Sequence, residues 1–180
     1  STDIMVPELL AALAQVEGAG NPVAQTYWRW RLTQQPFEVY RPASSAVGMY
    51  QITDGTFAEA RRYCIHDHVV VGGPGAAGAC WFTGLYFRVV PSHAVELTSA
   101  YLDRHIESTL RRSGLHAVRH RQAERLAAVI HLCGAGAGDA FARRGFRLLA
   151  GERCGDQDPR AYVARVEAMR DEFARLAARD

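Results

Sequence analysis

The chain has 180 residues, 48% of them hydrophobic and 22% charged, which provides apolar surface for one sizeable core and excludes a chain disordered throughout. The formal net charge of +2 is too small to point to nucleic acid. No apolar run approaches the ~20 residues that cross a bilayer as a helix, so neither a nucleic-acid partner nor a transmembrane segment is expected. All 21 basic residues are Arg, whose planar and permanently charged fork suits carboxylate- or phosphate-bearing polymers.

Helical periodicity dominates from the start. Pro7 suits a first helical turn because its missing N–H is not needed there. Leu9, Leu10, Leu13 and Val16 keep a helical spacing up to Glu17, and Gly18 and Gly20 predict the stop. Residues 19–47 read as irregular with a short helix near Tyr27, and they are rich in aromatics and Arg, among them Trp28 and Trp30. A helix is predicted from 54 to about 64, capped by Thr53 or Asp54. Residues 66–79 read as a loop, since Gly72-Gly73-Pro74-Gly75 fits no regular element. A long helix is predicted over 92–113, with Ser92 as cap, Gly114 as stop, and Val95, Leu97, Leu102, Ile106 and Leu110 on its apolar face. Another spans about 121–133 and ends at Gly134-Ala135-Gly136; a short one covers 139–144. The last is the clearest: Asp158 caps, Pro159 opens, and Tyr162, Val163, Val166, Met169, Phe173 and Leu176 form one stripe. Strand signals are confined to 69–71 and 86–90, so the fold class is mainly α with little or no sheet.

Cys64, Cys80, Cys133 and Cys154 are an even set, which fits two disulfides and an oxidising compartment. Of the three pairings open to four cysteines, Cys64 with Cys80 and Cys133 with Cys154 closes the two short loops and is the expected one. Four buried free thiols are the alternative. The run Cys64-Ile65-His66-Asp67-His68, with Cys80, has thiolate and imidazole at short spacing but no paired Cys-x-x-Cys. A disulfide beside exposed histidines is the plainer account, and no metal or cofactor is expected.

Glu17 is the residue that carries chemistry. It follows Leu13 by four positions and Leu10 by seven, so the three share one helical face. That face is apolar, and the negative end of the helix dipole lies at the same terminus. Burial and dipole both favour the protonated acid over the carboxylate, and a neutral carboxylic acid is what glycoside cleavage needs. The plain alternative is a helix-end glutamate turned to solvent.

Three blocks in order resemble the soluble lytic transglycosylase domain of the goose-type lysozyme clan. Ala11-Ala12-Leu13-Ala14-Gln15-Val16-Glu17-Gly18-Ala19-Gly20-Asn21-Pro22 is similar to the apolar helix that ends in that family's catalytic glutamate. Ala46-Val47-Gly48-Met49-Tyr50-Gln51-Ile52-Thr53 resembles its Gly-Leu-Met-Gln-Ile block, a wall of the sugar cleft. Leu126-Ala127-Ala128-Val129-Ile130-His131-Leu132-Cys133-Gly134-Ala135-Gly136 is similar to the helix and Tyr-Asn-Ala-Gly turn that close the cleft. The departures are Gly18 where the family usually has Ser, Tyr50 where it often has Met, and His131-Leu132 in place of Tyr-Asn.

The resemblance implies a single lysozyme-like helical domain over residues 1–180 with a substrate cleft, its core blocks spanning 9–136 and a C-terminal helical extension at 157–180. It implies Glu17 as general acid and base, and Gly48, Met49, Tyr50, Gln51, Ile52 and His131 as substrate-binding positions. The reaction implied is cleavage of the bond between N-acetylmuramic acid and N-acetylglucosamine in peptidoglycan, leaving 1,6-anhydro ends. A hydrolytic lysozyme is the alternative, with Glu38, Asp54 and Glu59 as candidate second carboxylates. A further alternative is a degenerate wall-binding scaffold that serves a secretion or pilus assembly. The implied compartment is the periplasm or exterior of a bacterial cell. Tyr27, Trp28 and Trp30 suit stacking on sugar faces, with core packing the alternative.

Overall fold

The structure is a computed structural model and describes residues 2–20, 46–73, 80–115 and 117–179. Among these, helices dominate: α1 (Pro7–Gly18), α2 (Asp54–Ala60), α3 (Pro91–Arg112), α4 (His120–Cys133), α5 (Ala135–Arg143) and α6 (Pro159–Ala177). The sheet is one antiparallel pair, β1 (Tyr63–His66) and β2 (Val69–Gly72). The mainly α expectation holds at that level.

α1 and α6 form as the sequence predicts. Pro7 and Pro159 each open a helix, and the Asp158 carboxylate accepts from the Arg160 and Ala161 N–H groups, satisfying donors that the first turn leaves unpaired. Thr53 caps α2 by accepting from the Thr56 N–H. Three predictions need correction. The helix expected to reach residue 64 ends at Ala60, and Tyr63 to His66 pair with β2 instead, Tyr63 opposite Gly72 and His66 opposite Val69. The two residues between the strands, Asp67 and His68, both have positive φ (47° and 65°), the backbone that a two-residue hairpin requires. Gly72 permits the closure, since a Cβ there would lie 2.3 Å from the Arg62 carbonyl oxygen.

The second correction concerns residues 86–90, which form no strand. A 3-10 turn over Trp81–Leu85 leads through them into α3, whose cap position is Val90, with Pro91 rather than Ser92 at the start. Proline needs no N–H partner at that point. Third, the stop expected over residues 134–136 shrinks to Gly134 (φ 84°, ψ 170°), and α5 begins at the next residue. At Gly138 a Cβ would lie 2.4 Å from Ile130 Cγ1, so the missing side chain lets α5 fold back closely on α4.

α4 lies at the centre of the packing. It contacts α3, α5 and α6, and α6 also packs along α1. Leu126, Val129 and Ile130 of α4 meet Leu9 and Leu13 of α1, Leu102 and Ile106 of α3, Phe141 of α5, and Tyr162, Val163 and Val166 of α6 in one buried cluster. Each such side chain contributes about 1.5–3 kcal/mol on burial. α6, within the expected 157–180 extension, therefore contributes to the same core as α1, α3, α4 and α5. The disulfides join Cys64 to Cys80 and Cys133 to Cys154, as the spacing predicts. Among the described residues no helix is long and apolar enough to cross a membrane.

Candidate functional site

Glu17 stands at the last turn of α1, which closes through a left-handed Ala19 whose N–H reaches the Gln15 carbonyl, with the Gly20 N–H on Ala14. The apolar face that carries Leu10 and Leu13 into the core carries Glu17 inward with it, and its side chain is only 12% exposed. Tyr162, one turn into α6, donates its hydroxyl to Glu17 Oε1 at 2.5 Å. His131, near the end of α4, places Nε2 at 3.7 Å from the same oxygen and is 11% exposed. That separation is beyond hydrogen-bond range.

The electrostatics follow from burial. Desolvation pulls His131 below the ordinary imidazole value of 6.5, against opposing contributions from the Glu17 carboxylate and the Tyr50 backbone. Near neutral pH the ring is therefore uncharged, and its contact with Glu17 is not an ion pair. Burial and the Glu17 charge both push the Tyr162 phenol far up, so it stays a neutral donor. The cluster is a carboxyl, a phenol and an imidazole, brought together by three helices.

The second block closes against this cluster. Val47 and Ile52 exchange backbone hydrogen bonds across a turn in which Gly48 and Gln51 have positive φ, and Gln51 Nε2 donates to the Gly48 carbonyl at 2.8 Å. At Gly18 a Cβ would sit 3.1 Å from both Cα and the carbonyl oxygen of Met49. The glycine beside Glu17 is thus the residue over which the 46–53 turn docks on α1.

A cavity of about 200 Å³ opens beside the cluster, with Gln51, Ile52, Thr56, Thr98, Tyr101 and His131 in its lining. The Thr98 hydroxyl is buried and has no hydrogen-bond partner among the described residues. Of the residues singled out from sequence, Gln51, Ile52 and His131 line this cavity. Gly48 and Met49 build the turn behind it. Tyr50 is 2% exposed and packs in the core, its ring edge-on to His131 at 6.4 Å. Glu17 is absent from the lining and meets the cavity through His131. Asp54 pairs with Arg88 at 2.8 Å and Glu59 with His105 at 2.9 Å. Asn21, Pro22, Tyr27, Trp28, Trp30 and Glu38 lie outside the described residues. Cys64 and Cys80 hold each other, so their sulfurs are not available as metal thiolates, and no group of three potential ligands comes together among the described residues.

Sequence reasoning missed Tyr162. Its only local signal is a hydroxyl in a stripe otherwise made of hydrocarbon and thioether side chains. It also missed the Thr56, Thr98 and Tyr101 wall, whose residues fall on helices chosen for their apolar faces. Compared with known proteins, the chain matches no family model, no curated protein and no solved structure. Fold and site together define a mainly helical protein with a carboxyl, phenol and imidazole cluster beside a small, largely uncharged cavity.

Proposed function

We propose that the chain cleaves peptidoglycan glycan strands as a lytic transglycosylase, with Glu17 as general acid and base. The observation that carries this reading is the Glu17 carboxyl itself, nearly buried at a helix end and held on one oxygen by the Tyr162 hydroxyl. A positioned carboxyl of limited solvent access is what proton transfer to a glycosidic oxygen needs. The resemblance of the 11–22 and 46–53 blocks to the lytic transglycosylase domain adds the substrate class, and a cavity lined by hydroxyl, amide and aliphatic groups is consistent with a sugar.

The mechanism runs as follows. Tyr162 fixes Oε1, which leaves Oε2 as the oxygen that carries the mobile proton. Glu17 gives that proton to the oxygen between N-acetylmuramic acid and N-acetylglucosamine, and the C1–O bond breaks with oxocarbenium character, assisted by the substrate's acetamido group. The Glu17 carboxylate then takes the proton of the muramyl C6 hydroxyl as that oxygen closes on C1. The product is a 1,6-anhydro end, and no second carboxylate is required. The two disulfides fit work outside the reducing cytosol, in the bacterial periplasm or beyond it.

One observation favours a second reading, a wall-binding scaffold without turnover that serves a secretion or pilus assembly. Glu17 is separated from the cavity by His131, so a glycan could occupy the cavity without meeting the acid. Digestion of purified sacculi with mass spectrometry of released muropeptides separates the two. Anhydro-ended products from the wild type, and none from a folded Glu17→Gln variant, are expected. Reducing ends would replace the transglycosylase with a hydrolase, and binding without release would establish the scaffold.

A further inference from the structure

The segment 80–90 that leads into α3 is built inside out. Its polar groups turn inward: the Arg61 guanidinium donates to the Thr83 carbonyl at 3.1 Å and to the Gly84 carbonyl. The Thr83 hydroxyl lies within reach of the Arg61 and Cys80 carbonyls. Tyr86 donates to Glu96 at 2.6 Å, and Arg88 donates to the Ile52 carbonyl. The Cys64–Cys80 disulfide ties its start to β1. What faces outward is apolar. Trp81 is 73% exposed, Leu85 66% and Phe87 62%, with Val89 beside them. The surface continues onto the hairpin, because the Phe82 ring meets both Trp81 and His66, and His66 lies opposite the exposed Val69. Among the described residues, the other large exposed apolar side chains are Leu149 and Leu176 alone.

We infer that this loop is a membrane-docking surface that seats the protein on an anionic lipid bilayer. Three observations favour that occupant. Indole, phenyl and isobutyl groups aimed outward from a rigid loop are the side chains that enter a bilayer interface. From His68 to Val95 the sequence has no carboxylate, and the exposed Asp54 beside the loop is paired with Arg88, which limits repulsion by anionic headgroups. At the base of the loop Arg61 and the exposed Arg62 pair with no carboxylate among the described residues, which supplies charge for phosphate. Glu96, the acid nearest to the loop in sequence, is engaged by the Tyr86 hydroxyl. A sugar partner would want many hydrogen-bonding groups around a stacking ring, and among the described residues of this surface the outward polar side-chain groups are few, chiefly the Trp81 indole N–H and the His66 imidazole. A second copy of the chain is the competing occupant, and the oligomeric state separates it from a bilayer. The inference concerns attachment to a surface and is independent of glycan cleavage.

The test is co-sedimentation of the 180-residue chain with vesicles of phosphatidylethanolamine and phosphatidylglycerol, against vesicles of phosphatidylcholine alone. The variants are Trp81→Ala/Phe87→Ala and a distant control, Leu176→Ala. Both loop side chains point to solvent, so the double variant keeps its circular dichroism and melting temperature. Binding of the wild type and the control to the anionic vesicles, with at least tenfold weaker partition of the double variant, is the expected result. Equal partition of wild type and double variant, or no binding of the wild type, would overturn the inference. So would a sedimentation-velocity dimer that the double variant abolishes, which would assign the surface to a second copy.

Discussion

Glu17 and Tyr162 lie 145 residues apart, and one hydrogen bond joins them. Tyr162→Phe keeps the ring in the core and removes only the donor. The expected loss of stability is about 1 kcal/mol, the usual net worth of such a bond, read as a modest fall in melting temperature. The expected loss in muropeptide release is larger, roughly ten- to a hundredfold in kcat with KM little changed, because a misplaced acid costs transition-state rather than ground-state interaction. An unchanged kcat with the stability loss present would leave Tyr162 a packing residue. Glu17 was legible in the sequence because the Leu10 and Leu13 face that buries it is local. Tyr162 was not, because its partner is supplied by the fold. Gly18 was legible only as a departure from Ser; the close Met49 backbone explains it.

At the level of elements, the chain is tied where helices end. Cys133 closes α4 directly after the site residue His131, and Cys154 lies in the segment that leads into α6. The Cys133→Ala/Cys154→Ala variant is expected to lose about 2–4 kcal/mol, as for other short closed loops, with the midpoint of urea unfolding as the measurement. Glycan release is expected to fall with it at temperatures where the wild type is fully active, because the same disulfide steadies the end of α4 that presents His131. The pairing was legible from short loops alone, and α1, α4 and α6 were legible from periodicity with Pro, Asp and Gly at their ends. The hairpin was not. Its turn is Asp67-His68 instead of the Asn-Gly or Asp-Gly that marks positive φ at both central positions, and Cys64 continues the apolar spacing of α2 in sequence while belonging to β1 in space. The single-residue junction at Gly134 was hidden for a similar reason: three small residues read as a turn when only the first serves as one.

The whole molecule carries its acid sensitivity in two separate windows. His131 is buried uncharged, with its folded value below the ordinary 6.5. As pH falls through that ordinary value, the unfolded chain takes up a proton that the folded chain refuses, so stability declines until the folded value is reached. Asp139, held low by the Arg112 guanidinium and by the Thr109 hydroxyl, and Glu152, held low by the Leu149 N–H and Arg144, behave as ordinary paired carboxylates. Their contribution is present above the unfolded values of 3.8 and 4.5 and is lost below them. Asp103, raised by burial, runs the other way and stabilises slightly as the pH drops into its own range. The upper window thus belongs to His131 among these groups, and the lower one to the carboxylates. His131→Gln keeps a donor for the Tyr50 backbone and removes the titration. Urea midpoints measured at about pH 7.5 and about pH 5.5 are expected to fall on acidification for the wild type and to stay nearly level for the variant, while both still lose stability once the carboxylates protonate. An equal slope in the two proteins would mean that the folded ring accepts its proton at the ordinary imidazole value, and burial at the 3.7 Å contact with Glu17 would then exert no net pull on its titration.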